Sequence, residues 1–209
     1  VIIAPNGIDL ERYESLPSPQ LARQKIGIAD AQTVICTGHL YAGRGVETFL
    51  ALAEKSPSTQ FVWVGGRPVE VDMWRERAKE QKNVQFTGFV QQSELPLYQS
   101  AADILIAPYA SQISGSSGGD SASVASPMKL FDYMAAKRAI ITSDLPVIRE
   151  ILDEESAVFC PPDNVGAWHI AITRLLADEK MREKLAENAF SIVKEFIWVE
   201  REKKILADL

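Results

Sequence analysis

The sequence predicts an α/β fold, a mostly parallel sheet covered by helices on both faces. Three observations carry this expectation. Apolar runs of strand length alternate with stretches whose apolar residues recur at helical spacing, from residue 33 to residue 160. The strand runs stop at glycines or proline, as in "QFVWVGG" and "ADILIAP". The composition is that of an ordinary soluble domain, with 209 residues, 46% hydrophobic and 24% charged. Strand–helix alternation of this kind builds βαβ units, and ligands of such Rossmann-like sheets lie at the carboxyl ends of the strands.

The elements follow in order. "TVICTGH" (33–39) reads as a strand, and 45–55 as a helix in which Val46, Phe49, Leu50 and Ala53 share a face. A strand over 60–66, a helix over 70–81, a strand over 83–90 and a short helix over 93–101 come next. "ADILIAP" (102–108) is an apolar strand ended by Pro108. Residues 109–126 are rich in Ser and Gly without periodicity and read as a mobile loop. Ser126 reads as an N-cap and Pro127 as the first residue of the next helix. A strand over 138–143, a helix near 146–152 and a strand over 156–160 follow. Helices at about 164–177, 179–195 and 198–208 close the chain. Residues 1–20 are expected to be an N-terminal strand and linker, and 21–209 one domain.

Several function classes fall away early. The net charge of -6 argues against a general nucleic-acid binder. The two cysteines, Cys36 and Cys160, lie in apolar runs and read as buried thiols in a reducing compartment. No run of about 18 apolar residues is present to span a bilayer as a helix. The two histidines, His39 and His169, make no zinc-like spacing with the cysteines. The chain opens on "VIIAPNGIDL" without Met and is expected to be a piece of a longer protein.

What remains are two loop-to-helix junctions. "GHLYAGRG" (38–45) contains Gly38, Gly43 and Gly45, which allow close backbone approach, together with His39 and Arg44. Its spacing is neither G-x-G-x-x-G nor a P-loop. "ASPMKLFD" (125–132) places Lys129 in the first turn of a helix, where the helix dipole already supplies positive charge and acids are preferred. Lys129 and Asp132, three residues apart, lie about 60° apart around the helix. An anion bound at the helix mouth resolves the conflict between lysine and dipole; a surface Lys–Asp pair is the plainer alternative. Two cations at neighbouring helix mouths suit a diphosphate. "TGFV" (87–90) adds a strand end with an apolar tip at Phe89 and Val90, suited to a flat base.

Taken together these stretches resemble the retaining, GT-B-fold glycosyltransferases of glycosyltransferase family 4, also called glycosyl transferases group 1. "IIAPNGID" (2–9) is similar to the turn that joins the two GT-B domains, and "TGHLYAGRGVETFL" to the family's glycine loop. "FVWVGG", "NVQFTGFV" and "ADILIAPY" follow in the family's order. "SPMKLFDYMAAKRAIITSDLPVIREI" resembles the E-x7-E helix region, and "FIWVEREKKIL" the terminal helix that crosses back to the first domain.

The resemblance implies a C-terminal, donor-binding half of a GT-B fold. Arg44 stands where the family has the lysine that binds donor phosphate, and His39 where it has an arginine, beside Gly38. Val90 would hold the base through its backbone, with Leu95 nearby. Met128 and Lys129 would offer first-turn N–H groups to the diphosphate, and Leu130 would pack near the nucleoside. Asp132 replaces the second Glu of E-x7-E, which binds the ribose hydroxyls, and Val124 replaces the first. "SPMKLFDY" is similar to a variant with S-P-x-K-x-x-E-Y, in which Lys129 supplies charge.

The implied reaction moves a sugar from a nucleotide-diphosphate sugar to a hydroxyl of a glycan, lipid or small molecule, with retention, and Arg44 and Lys129 stabilise the departing diphosphate. No metal or other cofactor is called for. The partners are the donor, the acceptor and an N-terminal GT-B domain, with no nucleic acid. The location is cytoplasmic, peripheral to the inner membrane in the whole protein. A non-catalytic GT-B domain that binds or scaffolds is the alternative that Val124 raises.

Overall fold

The computed structural model describes residues 7–111, 128–199 and 202–203. A 3-10 turn over Leu10–Tyr13 leads to α1 (Pro19–Ile26), β1 (Thr33–Thr37), α2 (Val46–Lys55), β2 (Gln60–Val64), α3 (Pro68–Arg77), β3 (Val84–Gly88), α4 (Leu95–Ser100) and β4 (Ile104–Ala107). Then come α5 (Met128–Ala135), β5 (Ala139–Ser143), α6 (Pro146–Arg149), β6 (Val158–Cys160), α7 (Val165–Ala177) and α8 (Glu179–Val193), with a 3-10 turn over Lys194–Phe196. The sheet order is β3-β2-β1-β4-β5-β6, and every pairing is parallel.

The strands are buried on both faces because successive side chains point to opposite sides. Ile35, Val62, Leu105 and Ile140 pack on one face with residues of α5 and with Ala189 and Val193 of α8. Val34, Cys36, Trp63 and Ile106 pack on the other with α2, α3 and α7. Phe49 on α2 sits edge-on to both Phe61 and Trp63, at 5.4 and 5.2 Å between centroids.

The first four expected strands end one or two residues early, while the last two keep their expected ends and start one and two residues late. Gly38, Gly65 and Gly66 have φ of 131, 121 and 100°, which takes the chain out of the strand and turns it toward the next helix. α3 starts at Pro68 rather than 70, because the Glu70 carboxylate accepts from the Arg67 backbone N–H and proline suits the first turn. α4 starts at Leu95 rather than 93, after a turn in which Glu94 and Leu95 N–H donate to Gln91 O. The start of α5, with its expected cap at Ser126 and Pro127, lies outside the described residues, as do Val124 and most of the expected loop 109–126.

Residues 7–26 fold onto the domain rather than trailing from it. Ile8 N–H donates to Phe196 O at 2.8 Å, and Ile8 pairs with Ile197, so the segment before the 3-10 turn meets the segment after α8. The expected boundary after residue 20 falls inside α1. That helix had local signals: Ser18 caps it, Pro19 opens it and Gly27 closes it at φ 71°. It is anchored by the buried Arg23, which pairs with Asp103 at 2.6 Å and donates to Ala101 O.

Candidate functional site

The sheet order reverses between β1 and β4, since β1 connects onward to β2 on its other side. This leaves a crevice at the carboxyl ends of β1 and β4, the usual ligand position in open parallel sheets. Gly38 follows β1 directly. A Cβ there would lie 3.3 Å from Lys129 Nζ, so glycine lets the ammonium lie close over the backbone. Gly45, at φ 86°, opens α2 where a Cβ would be 1.7 Å from Pro108 O, so the glycine loop is pressed against the exit of β4. Ala110 N–H donates to Gly43 O at 3.0 Å and fastens the two exits together.

Tyr109 is the floor of this crevice. Lys129 Nζ lies 4.7 Å and Arg44 Cζ 5.6 Å from its ring centroid. Among the described residues neither cation is in a salt bridge. Arg44 Nε is buried and has no hydrogen-bond partner among the described residues. Two cations without a carboxylate partner among the described residues thus converge on one ring, an arrangement whose chemistry suits an anion.

The floor is braced from below. Tyr133 Oη accepts from Thr37 N–H at 2.8 Å and donates to Ile106 O at 3.2 Å, tying the ends of β1 and β4. Burial pushes the Tyr133 hydroxyl pKa well up, so it remains a donor. Cys36 Sγ lies 4.0 Å from Lys129 Nζ; burial raises this thiol, and the lysine charge opposes the rise. Tyr133→Phe should cost about 1–3 kcal/mol, because the Thr37 N–H is left buried without an acceptor. A lowered urea midpoint with unchanged slope is the expected reading.

Asp132, one turn along α5, faces elsewhere. Its Oδ1 accepts from Tyr13 O–H at 2.7 Å. It lines a cavity of about 470 Å³ together with Arg12, Gln92, Ser93, Met128 and Trp198. Burial raises the Asp132 pKa, while the Tyr13 hydrogen bond and the Arg12 charge pull it down. α5 thus presents a cation to the crevice and a carboxylate to the cavity.

The structure brings Gly38, Arg44 and Lys129 together, and puts Met128 and Asp132 on the adjoining cavity. His39 belongs to a different group: it stacks on Tyr41 at 4.9 Å, and Arg67 lies over the same Tyr41 ring at 5.5 Å. Leu130 is fully buried, so its side chain seats α5 in the core and presents no surface. Val90 and Leu95 are half-buried against that same core, while Phe89 is 75% exposed. His169 bonds Ser56 Oγ at 3.2 Å, among α7 and the end of α2. The residues that sequence reasoning passed over are Tyr109, Tyr133 and Tyr13. Tyr109 carried a signal, an aromatic just past a strand-ending proline, and Tyr133 closes the "SPMKLFDY" stretch; Tyr13 had none, and the hydrogen-bond partners of Tyr133 and Tyr13 are 27 or more residues away.

Fold and site together define an α/β domain with a crevice at its switch point that is lined by two cations. The family model described as glycosyl transferases group 1 matches residues 31–178, and the chain belongs to that family. It is 23% identical over 174 residues to the alpha-D-kanosaminyltransferase of Streptomyces kanamyceticus, which covers 80% of this chain and 42% of that protein. The chain spans about half the length of the curated relatives it matches. Its fold is similar to that of sucrose-phosphate synthase from Thermosynechococcus elongatus, with a TM-score of 0.79, 23% identity and coverage of 98% of this chain and 50% of that one. It is also similar to Anabaena HepE, solved in complex with UDP and glucose, with a TM-score of 0.77, 18% identity and coverage of 97% and 55%. These neighbours are GT-B glycosyltransferases, and this chain has the fold of about half of each. Among the described residues no helix is long and apolar enough to cross a membrane.

Proposed function

We propose that this chain is the donor-binding domain of a retaining glycosyltransferase, which moves a sugar from a nucleotide-diphosphate sugar to an acceptor hydroxyl. The observation that carries the reading is the convergence of Arg44 and Lys129, both without a carboxylate partner among the described residues, on Tyr109 at the switch point. As the bond from sugar to diphosphate breaks, negative charge grows on the leaving oxygens. Arg44, Lys129 and the first-turn N–H groups of α5 stabilise that charge in a site already arranged for it. These cations do the work that a metal does elsewhere, so the reaction needs no further cofactor. Three residues on, about 4.5 Å along the helix axis, Asp132 takes the ribose hydroxyls, and the Val90 backbone and Leu95 hold the base. The UDP and glucose of the HepE complex support a nucleotide-sugar donor.

Retention and the missing acceptor-binding N-terminal domain rest on the family resemblance and on the half-length match to the relatives. The whole protein would act in the cytoplasm, peripheral to the inner membrane. Calorimetric titration of this chain with UDP, GDP and ADP at low ionic strength tests the reading. One nucleotide should bind weakly, and the chain alone should transfer no sugar. Binding of none would overturn the donor reading in favour of the non-catalytic module, and robust transfer by the chain alone would refute the two-domain part.

A further inference from the structure

We infer that Tyr13 is a positioning residue for the nucleoside end of the site, holding the Asp132 carboxylate so that its other oxygen is left to accept from a ribose diol. The inference rests on the donor reading above and deepens it. Tyr13 is buried in the core, on the 3-10 turn that also supplies Asp9 and Arg12 to the cavity wall. Its hydroxyl has one proton and two acceptors within reach, Asp132 Oδ1 at 2.7 Å and Gln99 Oε1 at 3.0 Å. The carboxylate is nearer and charged, and is the stronger acceptor. The Gln99 amide nitrogen is buried and has no hydrogen-bond partner among the described residues. Turned end for end, that amide donates to the Tyr13 oxygen, which frees the Tyr13 proton for Asp132. Asp132 Oδ2 has no hydrogen-bond partner among the described residues, and Asp132 lines the 470 Å³ cavity. One oxygen is therefore pinned by Tyr13 and the other is left to accept from a ribose hydroxyl.

Among the described residues, the charged and titratable groups that act on Asp132 are Tyr13 and Arg12 of the 3-10 turn, while Asp9, the cap of that turn, lines the same cavity and acts on Tyr13. Gln99 from α4 and Gln92 and Ser93 beside the cavity are neutral. The Tyr13 hydrogen bond stabilises the ionised carboxylate, so removing it moves the Asp132 pKa upward.

The test compares the nucleoside diphosphate that binds (UDP, GDP or ADP) with its 2′,3′-dideoxy form, by calorimetry across pH. The unaltered chain should prefer the ribose form by about tenfold or more, the scale of hydrogen bonds to a charged acceptor. Asp132→Asn should abolish the preference. Tyr13→Phe should remove most of it while leaving dideoxy binding in place, and should move upward the pH at which the preference is lost. Lys129→Ala should weaken both ligands alike and keep the ratio. Incorporation of 3-fluorotyrosine at position 13 keeps the ring and strengthens the donor, so the same midpoint should move down; this reading stands even where the phenylalanine form folds poorly. An unchanged ratio and an unchanged midpoint in both Tyr13 forms overturn the inference, and loss of the preference in Asp132→Asn alone then leaves the donor reading intact. Failure of all three nucleotides to bind the unaltered chain overturns the donor reading and this inference with it.

Discussion

Lys129→Ala should weaken binding of a nucleoside diphosphate by between about tenfold and a hundredfold, and leave the fold as stable as before to within about 1 kcal/mol. The two halves of this expectation have one cause. Lys129 lies in the first turn of α5, where the dipole disfavours a cation by about 0.3–1 kcal/mol. Among the described residues no salt bridge compensates it, and its contacts are the Tyr109 ring and the Cys36 thiol. A cation over an aromatic ring returns about 0.5–1 kcal/mol, so in the empty protein the lysine contributes close to nothing. With an anion in the crevice the balance changes, because a charge-assisted hydrogen bond is worth about 1.5–3 kcal/mol. Salt should reduce the affinity of the unaltered chain more steeply than that of the variant, one screened charge having been removed. Calorimetry at two ionic strengths, with a thermal melt of each protein, measures both halves. Equal affinities would remove Lys129 from the site.

Gly45→Ala is expected to have the largest effect on stability, about 3 kcal/mol or more. Two costs add at this position. The residue sits at φ 86°, in the left-handed region that costs a side-chain-bearing residue about 1–2 kcal/mol. Its new Cβ would stand 1.7 Å from Pro108 O and 2.7 Å from Pro108 C, both backbone atoms that cannot swing aside. Overpacking of this kind adds about 1–3 kcal/mol. The same change at Gly27 separates the two costs. Its φ is 71°, but nothing lies within 4 Å of the new Cβ, so Gly27→Ala should lose only the backbone part. Urea unfolding of the two variants gives the comparison, and similar losses would show that the contact with Pro108 is not tight. Gly45→Ala should also weaken nucleotide binding, because any relief of the clash moves Arg44 away from Tyr109.

Glycine and lysine in these two positions show what kind of information a sequence carries. Gly45 and Lys129 stood out as exceptions to local rules: three glycines in one eight-residue loop, and a cation where the helix dipole favours acids. Residues that obey local rules gave no such signal. Tyr133 reads as one more apolar position on α5, yet its hydroxyl joins Thr37 to Ile106, residues 96 and 27 positions away. Tyr13 fell in a stretch read as linker, because nothing within reach along the chain explains a buried aromatic there. Its partners, Gln99 and Asp132, are 86 and 119 residues distant.

His39 and Asp132 mark the same boundary in the site itself. Both share a loop or a helix with a cation of the crevice, and the order of residues placed each beside that cation. The folded chain separates them: His39 stacks in the Tyr41 and Arg67 row, and Asp132 turns to the Tyr13 side of α5.

The sequence by itself determined the α/β class, the order of strands and helices, and the two cations, because alternation, punctuation and dipole conflicts are local and depend on neighbours within a few residues. Tertiary structure alone decided that Tyr109 would lie beneath both cations and that α5 would divide a cationic crevice from a cavity that holds a carboxylate. It also decided that Tyr13, from the 3-10 turn near the start of the domain, would donate to Asp132. Those outcomes depend on how strands far apart in sequence are laid side by side. Parallel pairing of β1 with β4 joins residues some 70 positions apart, and no local pattern encodes which partner a strand will find.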